Sequence, residues 1–402
     1  MSQAQSPSSP LESTPIDPLT IVIASDPHYL APALTDHGPY FQRVIEAADG
    51  KVTEYCEELL NAFTDEIIAQ APDVLILTGD LTFNGENQSH ERLAEKLRQI
   101  EAAGTQVFVL PGNHDLENPM AAAFSGNGYT LTESLSGEEF STIYRDFGFQ
   151  NAIARDSASL SYVTELVPNL RLLAVDVNTE AAPGAVTEET LAWAERQLQS
   201  AKREGARVLA ASHQNLLQHS SLFSDGYVME NSARLLELYE QYGVICNLSG
   251  HLHIQHTAQS EQGLWEIAAS SLAVSPCQYG VLTLAGTEAE YHTKSLNVSI
   301  WAEKCGSTNP DLLAFSDYAE TFFRDTSYRQ AMAELADEPK AEAMAEFFAE
   351  VNTAYFRGRM DALAWDTNLY EAWQNRPSFL SVYLHSIAAD PLQDHTTLSF
   401  HF

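Results

Sequence analysis

Asp26 and His28 in SDPH, Asp80 in TGDL, Asn113 in GNHD, His213 in SHQN, and His251 with His253 in GHLH are side chains able to ligate a metal, set in five short segments. Two carboxylates, one amide oxygen and four imidazoles suit borderline divalent metals better than calcium or magnesium. Iron, manganese or zinc is therefore expected. Seven donors are too many for one tetrahedral ion. They serve two ions ~3.5–4 Å apart if one carboxylate bridges them, and Asp80 is the natural bridge. Taken singly, GD is a common turn and a lone His213 is a common core histidine; it is the set that points to a metal centre.

Side chains so far apart in sequence need a scaffold that brings them together. The apolar runs IVIAS, VLILT, VFVLP, VLAAS and VICNLS precede the five segments and read as buried parallel strands. All five segments are thus expected at the carboxyl edge of one sheet, where open α/β folds bind ligands.

The ordered blocks D-x-H, GD, GNHD, a lone His and GHxH resemble those of the calcineurin-like metallophosphoesterases, over roughly residues 20–294. The resemblance implies a four-layer α/β/β/α sandwich of two mixed sheets flanked by helices, with a small C-terminal helical domain added. It assigns Asp26, His28, Asp80 and His253 to one metal, and Asp80, Asn113, His213 and His251 to the other. It makes His114 the proton donor to the leaving oxygen, with Asp115 expected to orient that imidazole. Asn84, in GDLTFNGE, and His219, in the loop leaving the His213 strand, are candidate substrate contacts.

Departures from the family's branches narrow the substrate. Serine/threonine protein phosphatases carry GDxxDRG with GNHE, whereas this chain has GDLTFNGE with GNHD. Purple acid phosphatases ligate ferric iron with a Tyr where Phe83 stands here. The remaining pattern is similar to bacterial phosphodiesterases of the cyclic-nucleotide type. It implies hydrolysis of small phosphodiesters such as 3′,5′-cyclic nucleotides, by a hydroxide bridging two divalent ions, with His114 as general acid. A phosphomonoesterase, another phosphodiesterase and a non-catalytic binding module are the alternatives.

Composition excludes some partners. Lys and Arg number 21 against 55 Asp and Glu, a formal charge of −34 that repels long nucleic acids. A small phosphoester is the expected substrate, since bound dications dominate the field within a cleft. The four cysteines show no metal spacing and read as buried thiols. Of the thirteen histidines, the eight outside the ligand set and His114 are expected mostly at the surface, His219 excepted.

Along the chain, residues 1–17, rich in Ser, Pro and Gln, read as a flexible leader. They fit equally a cytoplasmic protein or an exported or lipoprotein-anchored one whose signal has been removed. No run reaches the ~18–20 apolar residues needed to cross a bilayer, so a soluble chain is expected. Oligomeric state is left open.

A catalytic domain is expected over residues 18–298, with helices near 54–70, 91–103 and 188–204, the last capped by Thr187. An insertion over residues 29–53 follows D-x-H directly and should lie beside the metals. Short strands at 264–269, 280–284 and 290–295 should form a second sheet. Residues 299–402 are expected to be helical, packed on the core or capping the cleft, with Met344, Phe347, Phe348, Val351 and Tyr355 on one buried stripe.

Overall fold

A computed structural model describes residues 16–335, 338–391 and 394–402. Most of the leader, residues 1–15, lies outside the described residues, while Ile16 and Asp17 already open the first strand.

Two mixed sheets stack face to face. The first runs, edge to edge, Thr397–His401, Glu288–Ser295, Gln278–Gly286, Ile16–Ala24, Val74–Leu77 and Gln106–Val109. The last three of these are mutually parallel, and the others are antiparallel. The second runs His256–Gln259, Trp265–Ala268, Cys246–Ser249, Arg207–Ser212, Leu170–Val175, Tyr162–Val167 and Ala154–Arg155, with a parallel centre.

Residues 21–24 and strand Val74–Leu77 are apolar at every position because both faces of the sheet are covered there. Ile21, Val22, Ile23 and Ala24 are all fully buried. In the second sheet the alternation of side chains divides the burial. Leu172, Ala174, Leu209 and Ala211 face the first sheet, while Leu173, Val175, Val208 and Ala210 pack against helices Glu188–Glu204 and Ser232–Tyr242. Helices Cys56–Gln70 and Asn87–Ala102 cover the outer face of the first sheet through Leu59, Phe63, Ile67, Leu93 and Leu97.

Several expectations about this scaffold need correction. The five ligand segments emerge from two sheets: SDPH, TGDL and GNHD follow strands of the first, and SHQN and GHLH follow strands of the second. Likewise Trp265–Ala268 joins the second sheet, whereas Gln278–Gly286 and Glu288–Ser295 extend the first. Apolar runs fix that a strand is buried; the sheet it joins is set by long-range pairing. The C-terminal region is not wholly helical either, because Thr397–His401 returns to pair with Glu288–Ser295. Between them, Phe315–Glu334, Ala341–Arg357, Thr367–Gln374 and Phe379–Ala388 form a helical cluster with its own core. Met344, Phe347, Phe348, Val351 and Tyr355 are all buried in it, together with Leu252 and Ile254 from the GHLH segment.

Candidate metal centre

The strand ends are coiled into conformations that L residues avoid. Asp26, His28, Asp80, His251 and His253 have φ of 51°, 42°, 48°, 69° and 59°. Such backbone costs of order 1–3 kcal/mol per residue and gathers at functional sites. Main-chain bonds hold it: the Asp26 N–H donates to the Gly79 carbonyl and the His28 N–H to the Asp80 carbonyl, both at 3.1 Å. Neighbouring glycines permit the close approach. A Cβ on Gly250 would lie 1.8 Å from Ser25 Oγ and 2.6 Å from Asp26 Oδ2, and one on Gly112 would lie 2.2 Å from Asp80 Oδ1.

The side chains then form two clusters sharing Asp80. Asp26, His28, Asp80 and His253 bring their ligand atoms within 4.8 Å of one another, as do Asp80, His213 and His251. Asn113 joins the second, its Oδ1 3.0 Å from His213 Nε2. Asp80 faces both, with Oδ1 3.3 Å from His213 Nε2 and Oδ2 3.8 Å from His28 Nε2. That is the disposition of a bridging carboxylate.

Hydrogen bonding around the rings decides where the lone pairs point. His213 Nδ1 lies 2.8 Å from the Thr78 carbonyl, which can only accept, so this nitrogen carries the proton and Nε2 faces the cluster. His251 Nε2 likewise donates to the Gly226 carbonyl at 2.9 Å, leaving Nδ1 only 3.2 Å from His213 Nε2. His28 and His253 oppose Nε2 to Nε2 at 3.0 Å. Asp26 Oδ1 is buried without a hydrogen-bond donor, while its Oδ2 accepts the His251 N–H at 3.0 Å. Converging lone pairs and an orphaned carboxylate oxygen repel one another unless cations lie between them. The mixed carboxylate, amide and imidazole donors fit two divalent metal ions. The Thr78 and Gly226 carbonyls orient the His213 and His251 rings from behind, as Asp49, whose Oδ2 is 3.5 Å from His253 Nδ1, does for His253.

The electrostatics agree. Burial alone would raise the Asp26 carboxyl, but the His253 imidazole 3.4 Å away and the other nearby imidazoles bring it down to about 2. Asp80, equally buried, is held well below the ordinary range by His213 foremost. Burial would lower the imidazoles of His213 and His253, yet the Asp80 charge lifts the first to about 9, and the neighbouring Asp26 carboxylate lifts the second to about 9. Protons and metal ions therefore compete for the same lone pairs.

His114 also faces the cleft, with its side chain a third exposed. Its Nδ1 is 2.9 Å from the Phe83 carbonyl and 3.1 Å from Asn84 Oδ1, and its Nε2 is 3.9 Å from Asp80 Oδ2. Asp115 does not orient this ring. Its carboxylate turns inward and accepts from the N–H groups of Leu81, Thr82 and Gly112 at 3.0, 3.0 and 2.8 Å. Burial and the neighbouring Asp80 charge raise it to about 7. Asp115 thus braces the TGDL turn, while the Phe83 carbonyl and Asn84, which was expected as a substrate contact, hold the imidazole.

His219 is not at the metal cluster. It is buried with Nδ1 3.0 Å from His256 Nδ1 and Nε2 3.1 Å from Glu266 Oε2. His256 Nε2 in turn lies 2.6 Å from Asp390 Oδ2, which His395 Nε2 approaches to 3.2 Å. Because the Thr257 N–H donates to His395 Nδ1 at 3.1 Å, the neutral His395 ring carries its proton on Nε2, towards Asp390. Through Asp390, His256 and His395 tie the second sheet to the C-terminal region. His90, His256 and His395 are buried, not surface residues, and Cys305 is exposed, unlike the other three cysteines.

A cavity of ≈ 490 Å³ opens over the clusters. Besides Asp80, Asn113, His114, His251 and His253, it is lined by Asp49 and Lys51, by Phe223 and Tyr227, and by Phe356 and Tyr383 from the C-terminal helices. None of these six was singled out by sequence. The placement of the insertion after D-x-H was the one signal for Asp49 and Lys51; the aromatics look like core residues.

Residues 19–255 match the family model of calcineurin-like phosphoesterases, and residues 297–394 match that of the C-terminal domain of cyclic nucleotide phosphodiesterase. A probable glycerophosphodiester phosphodiesterase from Arcobacter nitrofigilis is 27% identical over 59% of this chain and 76% of its own length. A probable cyclic nucleotide phosphodiesterase from Coxiella burnetii is 23% identical over 53% of this chain and 73% of its own. Among solved structures, a dimetal phosphatase from Danio rerio aligns with 69% of this chain and 96% of its own, at TM-score 0.49 and 14% identity.

Proposed function

The chain belongs to the calcineurin-like phosphoesterases, and within that family we propose that it hydrolyses small phosphodiesters, 3′,5′-cyclic nucleotides foremost, with His114 as general acid. The observation carrying this reading is that Phe356 and Tyr383, from the segment resembling the C-terminal domain of cyclic nucleotide phosphodiesterase, line the same cavity as the metal cluster. We assign the chemistry to residues 18–298, with residues 299–402 adding Phe356 and Tyr383 to the cavity wall.

Asp26, His28, Asp80 and His253 would hold one ion, and Asp80, Asn113, His213 and His251 the other, iron or manganese foremost and zinc next. When bound, two such ions supply a water acidic enough to attack phosphorus near neutral pH and positive charge against the phosphoryl oxygens. The remaining duties fall to the chain. With Nδ1 committed to the Phe83 carbonyl, His114 Nε2 is the atom that delivers a proton to the departing oxygen. For a cyclic nucleotide that oxygen is the ribose 3′ alkoxide, a poor leaving group unless protonated. Lys51 is the only Lys or Arg among the described residues lining the cavity, and its Nζ, 2.9 Å from Asp49 Oδ1, also steadies the carboxylate behind His253. The charge of −34 weighs against long polyanions.

A glycerophosphodiester substrate is the second reading, favoured by the name of the Arcobacter relative. Kinetics of the manganese- or iron-loaded protein on cyclic AMP, a glycerophosphodiester and a mono-aryl phosphate separate the cases. Cyclic AMP should give the highest kcat/KM. A preference for the glycerophosphodiester selects the second reading, and turnover of the monoester alone overturns both.

A further inference from the structure

We propose that Tyr227 and Phe223, backed by Tyr383 of the C-terminal helices, form a stacking subsite for the heterocyclic base of a nucleotide whose phosphate lies at the metal cluster. The inference rests on the phosphodiesterase reading and names what binds the part of the substrate that does not react.

Four rings make a continuous path away from the metal cluster. Tyr227 lies 5.3 Å, centroid to centroid, from the ligand His251; Phe223 lies 4.9 Å from Tyr227, and Tyr383 lies 5.8 Å from Phe223. All three aromatics line the cavity that holds the cluster. Tyr227 is 36% exposed, whereas Tyr383 is buried, so the path begins at a residue partly open to solvent and ends in the protein core. A ribose is the spacer between phosphate and base, and Tyr227 stands one ring beyond a metal ligand.

The main chain fixes that ring relative to both clusters. The Tyr227 carbonyl accepts the N–H of Asn215, two residues after His213, at 3.0 Å. The adjoining Gly226 carbonyl takes the His251 proton at 2.9 Å. The loop is thereby tied to the segments bearing His213 and His251, so stacking on Tyr227 incurs little ordering cost.

The cavity lining divides in chemistry between the charged pair Asp49 and Lys51 and the apolar and aromatic side chains of Phe223, Tyr227, Leu252 and Ile254. An anionic phosphate joined to a flat, uncharged ring matches that division. A glycerol arm offers no face to stack. A quaternary ammonium could also sit on Tyr227, and the test must separate it from a base.

The experiment uses the metal-loaded full chain with bis(para-nitrophenyl) phosphate as reporter, and AMP, ribose phosphate and phosphocholine as competitors. AMP should inhibit at a roughly tenfold lower concentration than ribose phosphate, the size expected for one base stacked on an aromatic ring. Tyr227→Ala should bring that ratio near one, and Tyr227→Trp should preserve it. A ratio near one in the unaltered protein, a ratio unchanged in Tyr227→Ala, or tighter inhibition by phosphocholine than by AMP overturns the subsite. If the reporter is not turned over at all, the phosphoesterase reading falls separately. Calorimetric titration of the same protein with AMP and ribose phosphate then decides the subsite by the same ratio.

Discussion

Replacing His114 with alanine should leave the metals bound and make the enzyme selective for good leaving groups. The side chain and the main chain of this residue have different tasks. Its N–H donates to Asp80 Oδ1 at 2.8 Å, a bond that alanine retains. Its ring Nε2 stands 3.9 Å from Asp80 Oδ2, too far to hold that carboxylate in place. The Phe83 carbonyl at 2.9 Å and Asn84 Oδ1 at 3.1 Å aim the ring, so what alanine removes is a positioned proton donor. General acid assistance is typically ~10²–10⁴-fold, or about 3–5 kcal/mol of barrier. Cyclic AMP, whose alkoxide needs the proton, should lose kcat by that factor. An aryl diester expelling para-nitrophenolate should lose less than about tenfold, because that anion leaves unaided. Steady-state kinetics on both substrates, with metal content measured on the same preparation, makes the comparison. Equal losses on the two substrates would refute the general-acid assignment and leave His114 as a phosphate-positioning group. Loss of metal would refute the separation of ring from main chain.

Asp80→Ala should abolish activity and lower metal content, since one oxygen faces each cluster; two ions per chain still bound would remove its bridging role. Asn84→Ala leaves the Phe83 carbonyl as sole acceptor of the His114 proton, and should lower kcat on cyclic AMP by about fivefold, the worth of one hydrogen bond, while sparing the aryl diester. Burial raises the Glu86 carboxyl to about 7 from 4.5, so its favourable contribution is complete below 4.5 and is lost as pH rises through about 7. Glu86→Gln, neutral throughout, should gain stability over the parent chain by roughly 2–4 kcal/mol between pH 5 and 8, read from denaturation midpoints; a difference that does not vary with pH would count against it.

What was legible in the sequence is what local chemistry determines. Helix Glu188–Glu204 begins and ends where its pattern indicated, and Thr187 accepts the Thr190 N–H as a cap should. His114 and Asp115 illustrate the opposite case. Adjacent in sequence, they diverge after Gly112, one ring entering the cleft and one carboxylate turning under Leu81 and Thr82. A contact inferred from adjacency failed because consecutive side chains in a turn seldom point the same way. His219 failed for another reason. The direction of its loop is set by Glu266 and His256, partners 47 and 37 residues away whose positions depend on the second sheet. The strand Thr397–His401 did leave a trace, since TLSFH alternates polar and apolar residues, but its partner was not apparent beside a helical region.

The division between legible and illegible follows the physical demands of the two tasks. Holding cations requires particular donor atoms at fixed separations, and the chain meets that demand at strand ends. Among the described residues, five of the eleven non-glycine residues with positive φ are proposed ligands there. That strain is tolerable only where buried strands over-determine the backbone, so ligand types and strand signatures must coincide in sequence, as IVIAS with SDPH and VLILT with TGDL do. Recognising the rest of a substrate demands only a surface of suitable shape and polarity. Tyr227, Phe356 and Tyr383 come from a loop and two helices remote in sequence, and each is indistinguishable by type from an aromatic serving the core. Tyr383 does serve both, since its hydroxyl donates to Asn352 Oδ1 at 2.7 Å within the helical cluster while its ring lines the cavity. Changing the C-terminal packing therefore alters the cavity wall without touching any proposed metal ligand, which leaves substrate preference free to diverge among chains that share the metal centre.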